Sequence, residues 1–296
     1  MSHQILKDKN IVIHEPKNFK LKSLDTNYKS IYKDEKTIKK HLENYKEKIS
    51  KLQHVLYAQN KHSILIVLQA IDAAGKDSCI KHVMSGINPQ GCSVTSFKQP
   101  SAEELSHDFL WRTYKALPEK GKIGIFNRSY YEEVLVTKVH PEFIVNQNIP
   151  GILSIKDIDA KFWENRYRAI NEMERHLVKN GTIILKVFLN LSKKEQKNRF
   201  IERIDTPEKN YKFSYGDIKE RKLWNEYQKA FETMIQETST KHAPWHVLPA
   251  DTQWVSRAMF GDLLLETLEN LNLSMKPATK EEKELMAKAK TELMAE

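Results

Sequence analysis

Cysteine is scarce in this chain: Cys79 and Cys92 are the only two among 296 residues. Two thiols cannot build the disulfide framework of a small secreted fold, and their separation matches no zinc-site spacing. They read as reduced structural thiols, so redox chemistry is not expected. No window approaches the roughly 18 consecutive apolar residues that cross a bilayer. The Lys-rich start leads into no apolar leader segment, and the expectation is a soluble, cytoplasmic protein with no membrane partner. Internal repeats are missing too. So are the aromatic–basic interleaving of an RNA-binding sheet and any helix-turn-helix signature, which argues against a nucleic-acid partner.

What is present is ordinary globular material: 40% hydrophobic and 29% charged residues, enough for one large or two small domains. Lys and Arg number 48 against 39 Asp and Glu, a net charge of +9. That excess favours polyanionic partners without choosing among them. It is uneven, because residues 1–61 hold 14 Lys and 7 acids. A basic nucleic-acid-binding protein is therefore the alternative of another class, and steeply salt-dependent binding would mark it.

Between Tyr28 and Asn60, apolar residues at Ile38, Leu42, Tyr45, Ile49, Leu52 and Leu56 recur at steps of four and three, one helical stripe. From His62 the pattern becomes short apolar runs, at 64–68, 94–97, 123–126, 182–189 and 245–248, separated by helical stretches at 102–116, 158–179 and 193–203. Continuous apolar strands alternating with helices predict an α/β domain with a parallel central sheet covered on both faces. Asn180-Gly181 closes the second of these helices. The expected organisation is an N-terminal arm and helix over 1–60, a main domain over 61–272 and a C-terminal tail over 273–296. The charge-dense stretch 192–222 reads as a helical flap within the main domain.

The most informative segment runs from Ile64 into Ala70-Ile-Asp-Ala-Ala-Gly-Lys-Asp77, an apolar strand, a turn of small residues and then a helix start. Such a turn aims backbone N–H groups at an anion, here those of Ala73, Ala74, Gly75, Asp77 and Ser78, while Lys76 reaches a terminal phosphate. The pattern is irregular. Ala70 stands where a first glycine belongs, and Asp77 replaces the hydroxyl residue that ordinarily ligates Mg²⁺. Asp72 is the candidate substitute ligand, since a carboxylate beside phosphates needs a cation between them. Downstream, Asn127 and Arg128 end a strand on its carboxyl side, where α/β sheets bind ligands, and Glu132 and Glu133 follow as further metal candidates. In the flap, Arg199 and Arg203 share a helical face ahead of Lys209 and Lys212, the arrangement of a lid that brings cations onto a transferring phosphoryl group.

Seven blocks in order carry a resemblance: Ala70–Asp77, Ser96-Phe-Lys-Gln-Pro100, Asp108-Phe-Leu-Trp-Arg112, Ile125-Phe-Asn-Arg-Ser-Tyr-Tyr131, Leu191–Gln196, Pro207-Glu-Lys-Asn-Tyr-Lys212 and Ala243-Pro-Trp245. Over about residues 40–270 the chain resembles the polyphosphate kinase 2 family. The resemblance implies a thymidylate-kinase-like, three-layer P-loop kinase fold with a helical lid, Mg²⁺ dependence, a homo-oligomer, and reversible phosphoryl transfer between inorganic polyphosphate and nucleotides. It maps Asp72, Lys76, Asn127, Arg128, Arg199 and Arg203 onto the catalytic set. Asn127, where many members have Asp, together with Glu132 and Glu133, resembles the subgroup that accepts both AMP and ADP. Thr252 and Gln253 depart from the acid and Lys that members often carry there. A polyphosphate chain needs a track of cations, for which Lys81, Lys98, Arg112 and Lys138 are the candidates. An ATP-dependent nucleoside monophosphate kinase is the alternative enzyme, sharing loop, lid and fold.

Overall fold

The computed structural model describes residues 11–28, 34–275 and 277–296. Residues 1–10 of the basic arm and 29–33, at the start of the expected first helix, lie outside the described residues. Five strands, β1 (Ser63–Ala70), β2 (Cys92–Ser96), β3 (Ile123–Asn127), β4 (Thr182–Asn190) and β5 (Trp245–Pro249), form one sheet in the order β2-β3-β1-β4-β5. Every pairing is parallel. All eight residues of the central β1 are buried, the reason its sequence is an unbroken apolar run.

The helices are α1 (Glu35–Gln59), α2 (Lys76–Val83), α3 (Ala102–Leu105), α4 (Trp111–Lys115), α5 (Glu132–Val139), α6 (Glu142–Val145), α7 (Ala160–Lys179), α8 (Lys193–Asp205), α9 (Tyr215–Lys222), α10 (Trp224–Thr238), α11 (Gln253–Asn270) and α12 (Lys280–Met294). α11 packs on α1 and α2, whereas α10 packs on α5 and α7, so one helical layer lies on each side of the sheet. α1 starts where Asp34 Oδ1 accepts from Thr37 N at 2.7 Å and stops at Asn60, whose φ of 50° is left-handed. Its stripe is core: Ile38, Leu42, Tyr45, Ile49 and Leu56 are buried, each aliphatic side chain stabilising the fold by roughly 1.5–3 kcal/mol. Residues 11–13 lie antiparallel along the free edge of β5, with Ile13 N donating to Trp245 O and Val247 N to Ile11 O. That cover removes an exposed sheet edge.

Two local expectations change. The helix expected over 102–116 is split into α3 and α4, because Asp108 Oδ1 accepts from Leu110 N and turns the chain between them. The tail is helical over Lys280–Met294, opened by a capping box between Thr279 and Glu282, with every residue exposed. None of the described helices is long and apolar enough to cross a membrane.

The topology places the site. The connection from β1 leads to β2 on one side of the sheet, and that from β4 leads to β5 on the other. The divergence opens a crevice at the carboxyl ends of these neighbouring strands, where doubly wound sheets bind ligands.

Candidate active site

The loop after β1 turns sharply into α2. Ala73 has φ 65° and Gly75 φ 102°, both left-handed. For Ala73 that conformation costs about 1–3 kcal/mol and must be held by its surroundings. Lys76 is buried, and its Nζ donates to Ala70 O at 2.9 Å and Ile71 O at 3.5 Å. Burial, reinforced by the nearby Arg128 cation, pushes its pKa below that of an ordinary lysine. A site built this way gains when a polyanion enters, because the phosphate restores the charged form.

β3 brings the second set of groups beside this loop. Asn127 Nδ2 donates to Asp77 Oδ1 at 2.7 Å, tying the end of β3 to the start of α2. Arg128, also left-handed at φ 63°, places Nη2 2.5 Å from Asp72 Oδ1 and Nη1 3.4 Å from Glu132 Oε2. Burial works against its charge, but Glu132 and Asp72 outweigh that and raise its pKa. Burial raises Glu132 in turn.

The strained turn at Arg128 is braced from below. Ser129 Oγ accepts from Gln69 Nε2 and Tyr131 N, and the Tyr130 and Tyr131 hydroxyls both donate to Glu174 Oε1. Lys186, fully buried in β4, donates to Glu174 Oε2, to Tyr131 and to Thr238 O, so every proton of its ammonium has an acceptor. A buried ion pair persists only with such complete hydrogen bonding.

The two metal candidates in this segment part company. Glu133 is buried and engaged by Arg166 Nη1 at 3.1 Å and Gln147 Nε2 at 2.6 Å, with Arg112 at 3.9 Å. Both hydrogen bonds fall on its Oε2, which braces the wall, while Oε1 has only the Arg112 ion pair beside it. Asp72 and Glu132 face the cleft, linked through Arg128. Among the described residues no group of three or more His, Cys, Asp or Glu side chains converges on a metal position.

These elements enclose a cleft of about 950 Å³ lined by the phosphate loop, Asp72, Lys76, Asn127, Arg128, Lys98, Arg112, Arg203, Lys209 and Lys212. Arg112 Nη1 donates to Lys98 O, Arg203 pairs with Asp217 of α9, and Lys209 pairs with Glu202. Two expected track residues are elsewhere. Lys81 is exposed outside the lining, and Lys138 stacks 4.2 Å over the Trp163 ring. Arg199 also departs from expectation: it borders the cleft, but all five of its N–H donors are taken by protein oxygens. Arg257 was invisible to motif reading. From α11 its Nη2 donates to Ser78 Oγ at 2.5 Å and to Gln253 Oε1 at 2.7 Å, and nothing near it in sequence marks that role.

Comparison with known proteins agrees with this architecture. The model of the family described as polyphosphate kinase 2 matches residues 32–276. The ADP-polyphosphate phosphotransferase of Rhodopseudomonas palustris is 46% identical over 274 residues, covering 93% of this chain and 94% of that protein. The AMP/ADP-polyphosphate phosphotransferase of Meiothermus ruber is 46% identical over 237 residues, covering 80% and 83%. The crystal structure of polyphosphate kinase 2 from Arthrobacter aurescens superimposes with a TM-score of 0.84 at 37% identity, covering 95% and 96%. With a strained phosphate loop on a five-stranded parallel sheet and this likeness along nearly its whole length, the chain belongs to the polyphosphate kinase 2 family of phosphotransferases, on a P-loop kinase fold.

Proposed function

We propose that this enzyme transfers the terminal phosphoryl group of inorganic polyphosphate to AMP and to ADP, reversibly and with Mg²⁺. The observation that carries the reading is one cleft in which Lys76 and Arg128 are joined by Lys98, Arg112, Arg203, Lys209 and Lys212. That is more positive charge than one nucleotide phosphate requires, and it suits a chain of anions. Phe97, Leu105, Val136 and Phe143 line the same cleft and supply apolar surface for a nucleoside.

The amide groups of the loop and Lys76 bind the transferring phosphoryl group, Lys76 exchanging its contacts with Ala70 O and Ile71 O for phosphate oxygens. Arg128 grips a phosphate oxygen from the end of β3, and Arg203, Lys209 and Lys212 on the flap approach from above and exclude water. The donor set fits Mg²⁺, which takes one or two carboxylates and completes its shell with phosphate and water oxygens. Asp72 and Glu132 would hold it, and it would neutralise charge on the phosphates.

The test is incubation with AMP and long-chain polyphosphate in the absence of ATP. ADP should appear first and ATP later, with polyphosphate consumed at both steps. ADP formation only when ATP is supplied would identify an ATP-dependent nucleoside monophosphate kinase instead.

A further inference from the structure

A phosphate loop works only if its N–H groups face the anion, which requires its carbonyls to face away and find partners elsewhere. Here every carbonyl from residue 70 to 75 has one. Lys76 Nζ takes Ala70 O and Ile71 O, and Cys79 N takes Gly75 O. The middle three are held from α8: Gln196 Nε2 donates to Asp72 O at 3.0 Å, and Arg199 Nη1 donates to Ala73 O and Ala74 O, both at 2.9 Å. Among the described residues, no protein acceptor takes the amide hydrogens of Ala73, Gly75, Lys76, Asp77 or Ser78.

Arg199 is anchored on its other side as well. Its Nη2 donates to Ala250 O at 2.5 Å and Asp251 O at 3.2 Å, beyond β5, and its Nε to Glu195 Oε1 at 3.1 Å. The side chain is buried. With five donors on five protein oxygens, the guanidinium has none left for a phosphoryl group. What it can do is hold Ala73 in a left-handed conformation that an alanine adopts only under constraint.

We propose that Arg199, assisted by Gln196, is a positioning residue: a clamp from behind that turns the carbonyls of residues 72–74 out of the cleft and so aims the loop amides at the phosphate. Because the clamp sits on α8, the first helix of the flap, it also ties the flap's root to the loop. The proposal rests on the reading of the loop as the phosphate site.

The experiment is a double-mutant cycle between Arg199→Lys and Ala73→Gly, scored by kcat/KM for polyphosphate and by calorimetric affinity for inorganic tripolyphosphate. A lysine cannot span both pairs of carbonyls, so the loop should relax. Glycine adopts the left-handed conformation without strain, so it should recover part of the loss. Arg199→Lys should cost about 50-fold beside Ala73 and only about fivefold in the Ala73→Gly background, in both readouts. Equal losses in the two backgrounds would overturn the clamp and leave Arg199 as a direct phosphate contact. Should Arg199→Lys fail to fold, Gln196→Met removes the tether to Asp72 O, together with the acceptor for Arg221 Nη1, and is judged by the same ratio of losses beside Ala73 and in the Ala73→Gly background. Failure of the wild type to use polyphosphate at all, while tripolyphosphate still shows the coupling, would overturn the function and leave the clamp standing.

Discussion

Arg128 lies 2.5 Å from Asp72, so one guanidinium from the end of β3 neutralises the carboxylate in the middle of the phosphate loop. The same guanidinium reaches Glu132. These two carboxylates would hold a divalent cation only in competition with Arg128, whose guanidinium would then be free for a phosphate oxygen. Asp72→Asn should therefore raise the Mg²⁺ concentration giving half-maximal rate by about tenfold or more, the usual cost of losing a charged ligand contact of 1.4 kcal/mol or above. Initial rates across a Mg²⁺ titration check this. An unchanged midpoint would place the ion elsewhere.

Lys76→Ala removes the one cation buried within the loop itself. Turnover should fall by about 10³-fold, about 4 kcal/mol of lost electrostatic stabilisation, while the melting temperature changes little. A variant retaining near-normal kcat would show that the loop is not the catalytic centre.

Asn127, part of the resemblance to the subgroup that accepts both AMP and ADP, donates from its amide nitrogen to Asp77 at the N-terminus of α2. Asn127→Asp puts two carboxylates at that 2.7 Å contact, and their repulsion should slow AMP and ADP phosphorylation alike. The swap Asn127→Asp with Asp77→Asn rebuilds the hydrogen bond in reverse and should recover much of the rate. If the single variant instead shifts the ratio of AMP to ADP turnover, Asn127 acts on the acceptor directly.

Asp262, buried in α11 against Tyr45 of α1, is pushed up to about 7 by desolvation, partly offset by the Tyr45 hydroxyl. Its unfolded-state pKa lies near the ordinary carboxylate value, so between about pH 4 and 7 the native state binds more protons than the unfolded chain. Stability must fall as pH rises through that window. The wild type should lose more melting temperature than Asp262→Asn between pH 5 and pH 8, and the variant should be the more stable at pH 8. Parallel curves would mean that Asp262 is solvated in the native state.

The five strands were readable because a parallel sheet buried on both faces demands continuous apolar runs, and each observed strand lies within two residues of its run. The α1 stripe was readable for a similar reason, since four-three spacing leaves one face to bury. The short elements were not. The segment around Ser106–Leu110 has helix-forming residues on both sides, and only the Asp108 side chain's bond to Leu110 N divides it. Arg257 lies 179 residues from the serine it touches, beyond the reach of any local pattern.

The sequence by itself determined that a strand, a turn of small residues with Gly75-Lys76 and a helix would follow one another, because that information is local: backbone conformation, periodicity and one lysine at a fixed offset. It also placed Arg199 and Arg203 on one face of a helix. Which way each guanidinium turns was decided only by tertiary contact. Arg203 lies at the cleft beside Asp217, whereas Arg199 is buried on the carbonyls of Ala73, Ala74, Ala250 and Asp251. Those acceptors come from loops after β1 and β5, far apart in the chain, and a donor's partner is set by which oxygens the fold brings within hydrogen-bond reach rather than by the spacing of the arginines.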